Sequence, residues 1–496
     1  MRRVNEYLSF KVTECLSKRV FGFVTIILLL GSTAFAQKAD RSKVPPLGEP
    51  KKLSLPAIQS FELSNGLKVV LMEKHSVPLV QMNVIVKSGI VNDPEGKSGL
   101  ASITADMIDE GAAGKSSLEL ADEINFLGAR ITTFSRWHKM GLNLHSPLSK
   151  FDDALKIAAD ILLHPDFPQK ELDRIRKERL TTLLQWHDQA NMIASVTFQK
   201  VLFGDNHPYG RPTLGNEESI KSFSVDDMKN FHGKYFKSNN AYVVVVGDIT
   251  KDQLLPKLES VFGKWAKGDI PVVKLKDAEQ VKKRVVYLVD KPGSAQSVIS
   301  IGRIGTNRLT EDYFPITVMN TILGGSFTSR LNNNLREQHG YTYGAGSSFD
   351  MRPYAGPFIA RSSVQTEVTD KALTEFFKEL NGITRPIPEE ELTRAKNYVA
   401  LGYPDNFQTV AEIAANIEEM IDYNLPGDYF NNYIGNVLKV GAGNVSKVSL
   451  RYIVPDKMIV VVVGDRSKIE EGIKKLNLGE IKHYKIEDML GKKPQL

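Results

Sequence analysis

The sequence has little cysteine and little net charge. Its 496 residues include one cysteine, Cys15, which excludes a disulfide framework and any cysteine-rich zinc or iron–sulfur site. A formal net charge of +6 is small for this length, so we expect no nucleic-acid partner. None of the nine histidines stands four residues from another, so a His-x-x-x-His zinc pair is absent. With 42% hydrophobic and 25% charged residues, the composition is that of a globular protein rather than a polytopic membrane protein or a disordered chain.

The one long apolar run lies at the amino terminus. Five basic residues within positions 1–19 precede an uncharged segment, residues 20–36, which ends in small residues. This order predicts a secretory signal peptide that is cleaved after Ala36. The alternative is an uncleaved anchor, because the uncharged segment is at the short limit of a membrane span. Cleavage would remove Cys15 and lower the net charge to +3. We therefore expect an exported protein, in an oxidising space such as the bacterial periplasm, with no stable membrane span after cleavage.

Two parts of the chain repeat one another. The run VVVVGD at residues 243–248 recurs at residues 460–465, with an offset of 217. Residues 167–174 match residues 387–394 with an offset of 220. Similar offsets in the same order predict two tandem copies of one α/β unit.

The pattern of strands and helices favours an α+β fold. We predict two tandem homologous α/β sandwich halves, each with a mixed or antiparallel sheet covered by helices. The strongest turn signal, Asn65-Gly66 between two strand-like runs, predicts a hairpin near the start of the first half. The predicted boundaries are a signal peptide at 1–36, an extended arm at 37–54, a first half at 55–265, a linker at 266–284, a second half at 285–476 and a tail at 477–496.

Three motifs resemble one enzyme family. Residues 323–343 read LGGSFTSRLNNNLREQHGYTY, residues 61–69 read F-x-L-x-N-G-L-x-V, and residues 207–212 read HPYGRP. These are similar to the insulinase, pitrilysin and mitochondrial processing peptidase family of zinc metallopeptidases, over roughly residues 55–475. In that family an inverted H-x-x-E-H motif on a helix, together with a distant Glu, forms the zinc site. The two His bind zinc from one helical face, and the intervening Glu activates the bound water.

This chain lacks all four residues of that zinc site. The resemblance implies that the His positions fall on Ser102 and Asp106, the base position on Ala105, and the distant Glu at or next to Thr182. A hydroxyl, one carboxylate and an alanine cannot hold zinc tightly or deprotonate a water molecule. We therefore expect no metal in this chain, and ligand count favours reading Asp106 as an ordinary hydrogen-bonded helix residue.

The other half of the family's active site is retained. The resemblance implies that Arg336 and Tyr343 hold the substrate backbone and stabilise the tetrahedral intermediate, as a cation and a phenol hydroxyl can do for a carbonyl oxygen that becomes negative. From residue type alone, Arg336 could instead pair with Glu337, and Tyr343 could be ordinary sheet packing.

Together these features predict a subunit without activity of its own. We expect Arg336 and Tyr343 to complete a peptidase site in a heterodimer, in which a homologous subunit holds the zinc and this chain binds no cofactor. Peptide substrates would add as a strand to a sheet edge, in this chain at residues 129–134. Two alternatives remain: a non-enzymatic scaffold or assembly protein of an envelope complex, and an independent metallopeptidase with an unrecognised metal site.

Metal analysis of the purified chain separates the independent enzyme from the other two hypotheses. We expect far less than stoichiometric zinc after dialysis, and no peptide hydrolysis by the isolated chain, because the ligands and the base are missing. Elemental mass spectrometry and a peptidase assay with added zinc measure the two properties. Near-stoichiometric zinc with activity in the isolated chain would contradict both non-catalytic hypotheses.

Overall fold

The computed structural model describes Gly48, Pro50 and residues 53–495. The predicted signal peptide lies outside the described residues. Of the predicted arm at 37–54, the structure describes Gly48, Pro50 and residues 53–54. Within the described part of the chain, no helix has both the length and the apolar character needed to cross a membrane.

The first half contains one six-stranded sheet, a two-stranded ribbon and eight helices. Its strands are β1 (Ile58–Glu62), β2 (Lys68–Glu73), β3 (Leu79–Val86), β4 (Gly111–Ala112), β5 (Lys115–Ser116), β6 (Arg130–Ser135), β7 (Met140–Pro147) and β8 (Ala241–Gly247). Its helices are α1 (Leu100–Met107), α2 (Ser117–Phe126), α3 (Phe151–Leu163), α4 (Gln169–Trp186), α5 (Ala190–Phe203), α6 (Glu217–Ser222), α7 (Val225–Tyr235) and α8 (Lys251–Phe262). The sheet order is β1-β2-β8-β3-β7-β6, and β4 pairs with β5.

The second half also contains a six-stranded sheet. Its strands are β9 (Val285–Asp290), β10 (Gln296–Ile304), β11 (Thr342–Phe349), β12 (Pro357–Gln365), β13 (Ile459–Gly464) and β14 (Glu480–Lys485). Its helices are α9 (Tyr313–Asn320), α10 (Arg330–Asn332), α11 (Thr369–Gly382), α12 (Glu389–Gly402), α13 (Val410–Asp422), α14 (Tyr429–Leu438), α15 (Ala442–Tyr452), α16 (Arg466–Lys475) and α17 (Ile486–Leu490). Two π-helical turns, Thr321–Gly325 and Asn333–Gln338, extend α9 and α10.

The two sheets share one topology, which confirms the predicted duplication. The order β2-β8-β3-β7-β6 in the first sheet matches β9-β13-β10-β12-β11 in the second. In each sheet the two strands at the start of this order are parallel, and the remaining pairs are antiparallel. The repeated valine runs form β8 and β13, which are buried along their whole length because helices cover both faces.

The predicted tail at 477–496 is wrong for part of its length. Residues 480–485 form β14, which pairs in parallel with β9 as the outer strand of the second sheet, and α17 packs on α5. The sequence of β14, EIKHYK, has polar residues on both faces of the strand and is mostly exposed. A strand of this kind has no hydrophobic alternation, which is why the sequence pattern missed it.

Each half covers one face of the other half's sheet with a helix. Helix α5 comes from the first half but packs on β10 and β13, where Ile193 and Phe198 join Val461 in one hydrophobic cluster. Helix α13 comes from the second half but packs on β3 and β8, where Ile417 lies in the same cluster as Val244. The first residues of α5 and α13, at positions 190 and 410, are separated by the 220-residue offset of the repeat. The two copies have therefore exchanged equivalent helices, and separating them would expose an apolar face of each sheet.

Polar contacts at the end of α13 reinforce this exchange. Glu418 accepts hydrogen bonds from Asn83 Nδ2 at 2.5 Å and from Lys139 Nζ at 2.8 Å. Asp422 accepts from Lys139 Nζ at 2.7 Å and from the Tyr242 hydroxyl at 2.5 Å. Burial favours neutral Lys139, but the two carboxylates outweigh burial and raise the pKa of its ammonium. The ammonium therefore stays charged and joins the two halves.

A cavity-forming substitution on the exchanged helix tests whether the halves unfold together. The Ile417 side chain is fully buried, so Ile417→Ala should lower the free energy of unfolding by about 2–5 kcal/mol. Denaturant unfolding followed by circular dichroism should give one transition at a lower midpoint. Ala415→Ser on the exposed face of the same helix is the control, with an expected change within about 0.5 kcal/mol. Two separate transitions in Ile417→Ala would contradict the mutual dependence of the halves.

Candidate functional site

Helix α1 carries three of the four positions that the sequence resemblance assigns to the family's zinc site. Asp93 fixes the start of this helix, because its carboxylate accepts the backbone N–H of Gly99 and of Ala101, each at 2.7 Å. Burial is the largest influence on this carboxyl and raises the pKa of Asp93 to about 7. Ser102 and Asp106 follow one turn apart, so their side chains share one face of α1.

An arginine lies against both positions that the resemblance assigns to zinc-binding histidines. Nη2 of Arg179 donates to Ser102 Oγ at 2.9 Å and to Asp106 Oδ2 at 2.5 Å, and Nη1 donates to the Leu214 carbonyl at 2.9 Å. The Arg179 side chain is only 4% exposed. Ala105, at the base position, is buried in the hydrophobic cluster of the first half. A guanidinium, charged at every physiological pH, is therefore held by the two residues that replace the zinc ligands.

Thr182 supplies no ligand group to this site. It follows Arg179 by three residues on α4, so the two share one face of that helix. The Thr182 hydroxyl donates to the Glu178 carbonyl at 2.9 Å. Across the described residues, no group of three or more His, Cys, Asp and Glu side chains is arranged to hold a metal ion. The residues present thus do not fit a zinc ion.

Arg179 was not predicted from the sequence, although a signal for it exists. The buried face of α4 includes Leu172, Ile175, Arg179 and Leu183, at helical spacing. A buried arginine within such a stripe requires an acceptor, and Asp106 is a carboxylate at a position that the resemblance assigns to a zinc-binding histidine. The arginine in an apolar stripe and the carboxylate at a histidine position, taken together, could have indicated this pairing.

The second half presents Arg336 and Tyr343 at the edge of its sheet that is formed by β11. Tyr343, on the edge strand β11, is 92% exposed. Arg336 lies in the π-helical turn that follows α10, where Nη1 is 3.4 Å from Glu337 Oε1 and the guanidinium is 4.6 Å from the centre of the Phe327 ring. The Phe327 side chain is itself largely exposed. No hydrogen bond joins Arg336 to Tyr343 among the described contacts, so both side chains can reach a molecule outside this chain.

A local irregularity in β11 accounts for the exposure of Tyr343. The pairing of β11 with β12 shifts register between Thr342 and Ala345, which is a β-bulge. The Thr342 hydroxyl donates to the Ser363 carbonyl at 2.7 Å, and it accepts the Gly344 N–H at 3.0 Å. A bulge redirects the side chain it contains, and here that side chain is Tyr343.

Strand β6 is one of the two edge strands of the first sheet, and it is the counterpart of β11. In the described part of the chain β6 pairs only with β7, so its outer edge offers unpaired backbone groups. The turn between β6 and β7 contacts the second half, where the guanidinium of Arg352 lies 4.5 Å from the Trp137 ring and 4.3 Å from the Tyr209 ring. Beside it, His138 Nε2 is 2.5 Å from the Tyr209 hydroxyl, and burial lowers the pKa of His138 to about 4. This histidine is therefore neutral at physiological pH.

Comparisons with known proteins agree with this architecture. The family model described as "Insulinase (Peptidase family M16)" matches residues 68–206, and the one described as "Peptidase M16 inactive domain" matches residues 222–399. A Helicobacter pylori protein named "Non-peptidase homolog YmxG" is 22% identical over 81% of this chain and 92% of its own length. A Bacillus subtilis protein named "Uncharacterized zinc protease YmxG" is 26% identical over 58% of this chain and 68% of its own length.

A solved structure supports the same fold. The crystal structure of a peptidase M16 inactive domain from Pseudomonas fluorescens has a TM-score of 0.77 and 26% sequence identity. The match covers 82% of this chain and 97% of that one.

Restoring the zinc ligands tests whether the guanidinium excludes a metal. The quadruple variant S102H, A105E, D106H and T182E should bind little zinc while Arg179 remains, and adding R179A should raise its zinc content towards one per chain. Two unit charges 4 Å apart interact by roughly 4 kcal/mol at an effective dielectric constant of about 20, and zinc is doubly charged. Elemental mass spectrometry after dialysis measures the difference. Equal zinc content in the two variants would show that Arg179 does not exclude the metal.

Proposed function

This chain belongs to the insulinase family of metallopeptidases, peptidase family M16, and we propose that it is a non-catalytic subunit of a two-chain peptidase. In this proposal the homologous partner chain holds the zinc, and this chain supplies Arg336 and Tyr343 to the shared site. Both chains are exported, so the complex acts on peptides in the periplasm. The family assignment and the lost ligands support a subunit without zinc; the partner and the roles of Arg336 and Tyr343 are the proposal.

The observation that carries the proposal is a contrast between the two parts of the family's site. On the first half, the Arg179 guanidinium donates to Ser102 and Asp106, so the chain's own cation takes the place expected for the zinc ion. On the second half, Tyr343 is almost fully exposed, and the nearest charged partner of Arg336 is its chain neighbour Glu337. An internal cation at the expected zinc position, in the same chain as an accessible arginine and tyrosine, fits a chain whose reactive partner groups lie in another molecule.

Each retained side chain has a definite chemical task in the shared site. The guanidinium of Arg336 can donate to the carbonyl oxygen of a peptide as negative charge develops on it. The Tyr343 hydroxyl can donate to the same oxygen or to the neighbouring backbone. Because Tyr343 lies on an edge strand, its hydroxyl would lie beside a peptide that approaches that edge.

Purification from the native source tests the partner. A chain carrying an affinity tag should bring down a homologue with an intact H-x-x-E-H motif, and the pair should hydrolyse peptides. Recovery of envelope proteins without such a homologue would favour the non-enzymatic scaffold instead.

Substitution within that complex tests the role of Arg336. We expect Arg336→Ala in this chain to lower kcat/KM of the pair by about a hundredfold, because a donor to the developing oxyanion is lost. Arg385→Ala, which removes another exposed arginine of the second half, is the matched control and should leave the rate unchanged. The amount of partner recovered must be equal for both variants. An unchanged kcat/KM of the pair with Arg336→Ala would contradict a shared site.

A further inference from the structure

A cavity of about 650 Å³ lies at the junction of the two halves, next to the expected zinc position. The first half contributes Ser102, Lys87 and the residues of the β6–β7 turn to its wall. The second half contributes the loop between β11 and β12 and the end of α13. The cavity is thus distinct from Arg336 and Tyr343, which do not line it.

The charges on the cavity wall are not balanced within the chain. Of its four cationic residues, Lys139 is paired with Asp422, and also with Glu418 behind the wall, while Arg352 is paired with Asp350. The other two, Lys87 and Arg136, form no ion pair with any described residue. The Lys87 ammonium lies 5.7 Å from the centre of the Tyr242 ring, and the Arg136 guanidinium 6.0 Å from that of Phe134. These two cations stand at the exposed rim.

Two buried donors on the same wall also lack partners. Ser135 Oγ and Arg352 Nη1 are buried and have no hydrogen-bond partner. The Arg352 side chain is only 6% exposed. A buried donor without an acceptor is destabilising, and such groups in a folded protein call for a specific explanation. Each of these two atoms has almost no solvent-accessible surface, so it can reach an acceptor in the cavity only if its side chain moves.

We propose that this cavity binds a carboxylate of an acidic peptide segment. A carboxylate has two oxygens and about four acceptor positions, which suit the two rim cations and, after a change of side-chain conformation, the Ser135 hydroxyl and the free Arg352 N–H. A phosphate dianion is a poorer fit, since its second charge would meet Asp350 and Asp422 on the same wall. Edge strand β6 ends at Ser135, so a peptide added along β6 would extend to the cavity.

This inference depends on the proposed function only for the class of ligand, a peptide. The carboxylate can come from an acidic side chain or from the carboxyl terminus, because the two present the same group. The site also predicts a preference that the zinc-bearing partner need not share: peptides with acidic residues bind to this chain better than neutral or basic peptides of the same length.

Fluorescence anisotropy with labelled decapeptides tests the site on the purified chain. The first probe ends in Glu-Asp with a free carboxyl terminus, the second is its carboxyl-terminal amide, and the third carries Gln-Asn in place of Glu-Asp. We expect the first probe to bind and K87Q/R136Q to weaken that binding about tenfold or more. The control K170Q/R394Q removes the same charge from exposed positions outside the cavity and should bind as the unaltered chain does.

The outcomes distinguish the two sources of the carboxylate, and they also show whether the proposal fails. Loss of binding on amidation assigns the terminal carboxylate, and loss with the Gln-Asn probe assigns the side chains; either supports the site. The proposal is overturned if no probe binds, if a lysine-rich decapeptide binds equally well, if both double variants lose affinity equally, or if inorganic phosphate is the tighter ligand. Thermal melts confirm that both double variants are folded. None of these measurements needs the partner chain, so failure here leaves the Arg336→Ala test intact, and the reverse also holds.

Discussion

The exchange of α5 and α13 between the two halves is the packing constraint on which the rest of the structure depends. Each helix buries an apolar sheet face that the other copy of the repeat provides, so neither sheet is complete within its own half. The exchange also sets where the two edge strands lie. It brings the β6–β7 turn against the loop after β11, through the contacts of Arg352 with Trp137 and Tyr209. The junction of the halves also carries the polar groups that line the cavity beside Ser102.

The expected zinc position illustrates how a catalytic centre can become a structural one. In place of a divalent ion, which requires deprotonated ligands, the chain holds a guanidinium that keeps its charge at any physiological pH. Arg179 joins α4 to α1 through Asp106 and Ser102, and also to the loop at Leu214. The cation between these elements is therefore a side chain of the protein itself. In this chain, Arg179 and the residues at the expected zinc positions therefore form one hydrogen-bonded group.

Much of the architecture follows from sequence pattern, and the parts that do not have physical reasons. The duplication could be predicted because the valine runs of β8 and β13 are buried on both faces and tolerate little variation in polarity. The exchange of helices could not be predicted. The apolar residues Ile193 and Ile417 indicate that each helix has a buried face, but they do not indicate which sheet that face packs against. At the site, the absence of zinc ligands was evident from residue types. The pairing of Arg179 with Asp106 joins residues far apart in sequence, and the unpartnered donors Ser135 and Arg352 are features of three-dimensional packing alone.

The helix exchange also sets the order in which the chain can complete its fold. The strands of the first sheet end at Gly247, yet the helix that covers their second face ends only at Asp422. During synthesis, the first half therefore emerges with an apolar sheet face that nothing in its own sequence can bury. Long-range contacts of this kind slow folding, and an uncovered sheet face favours aggregation. The duplicated chain is thus a single folding unit, which reaches its native state only when nearly all of it is available, and the first copy has to wait for the second.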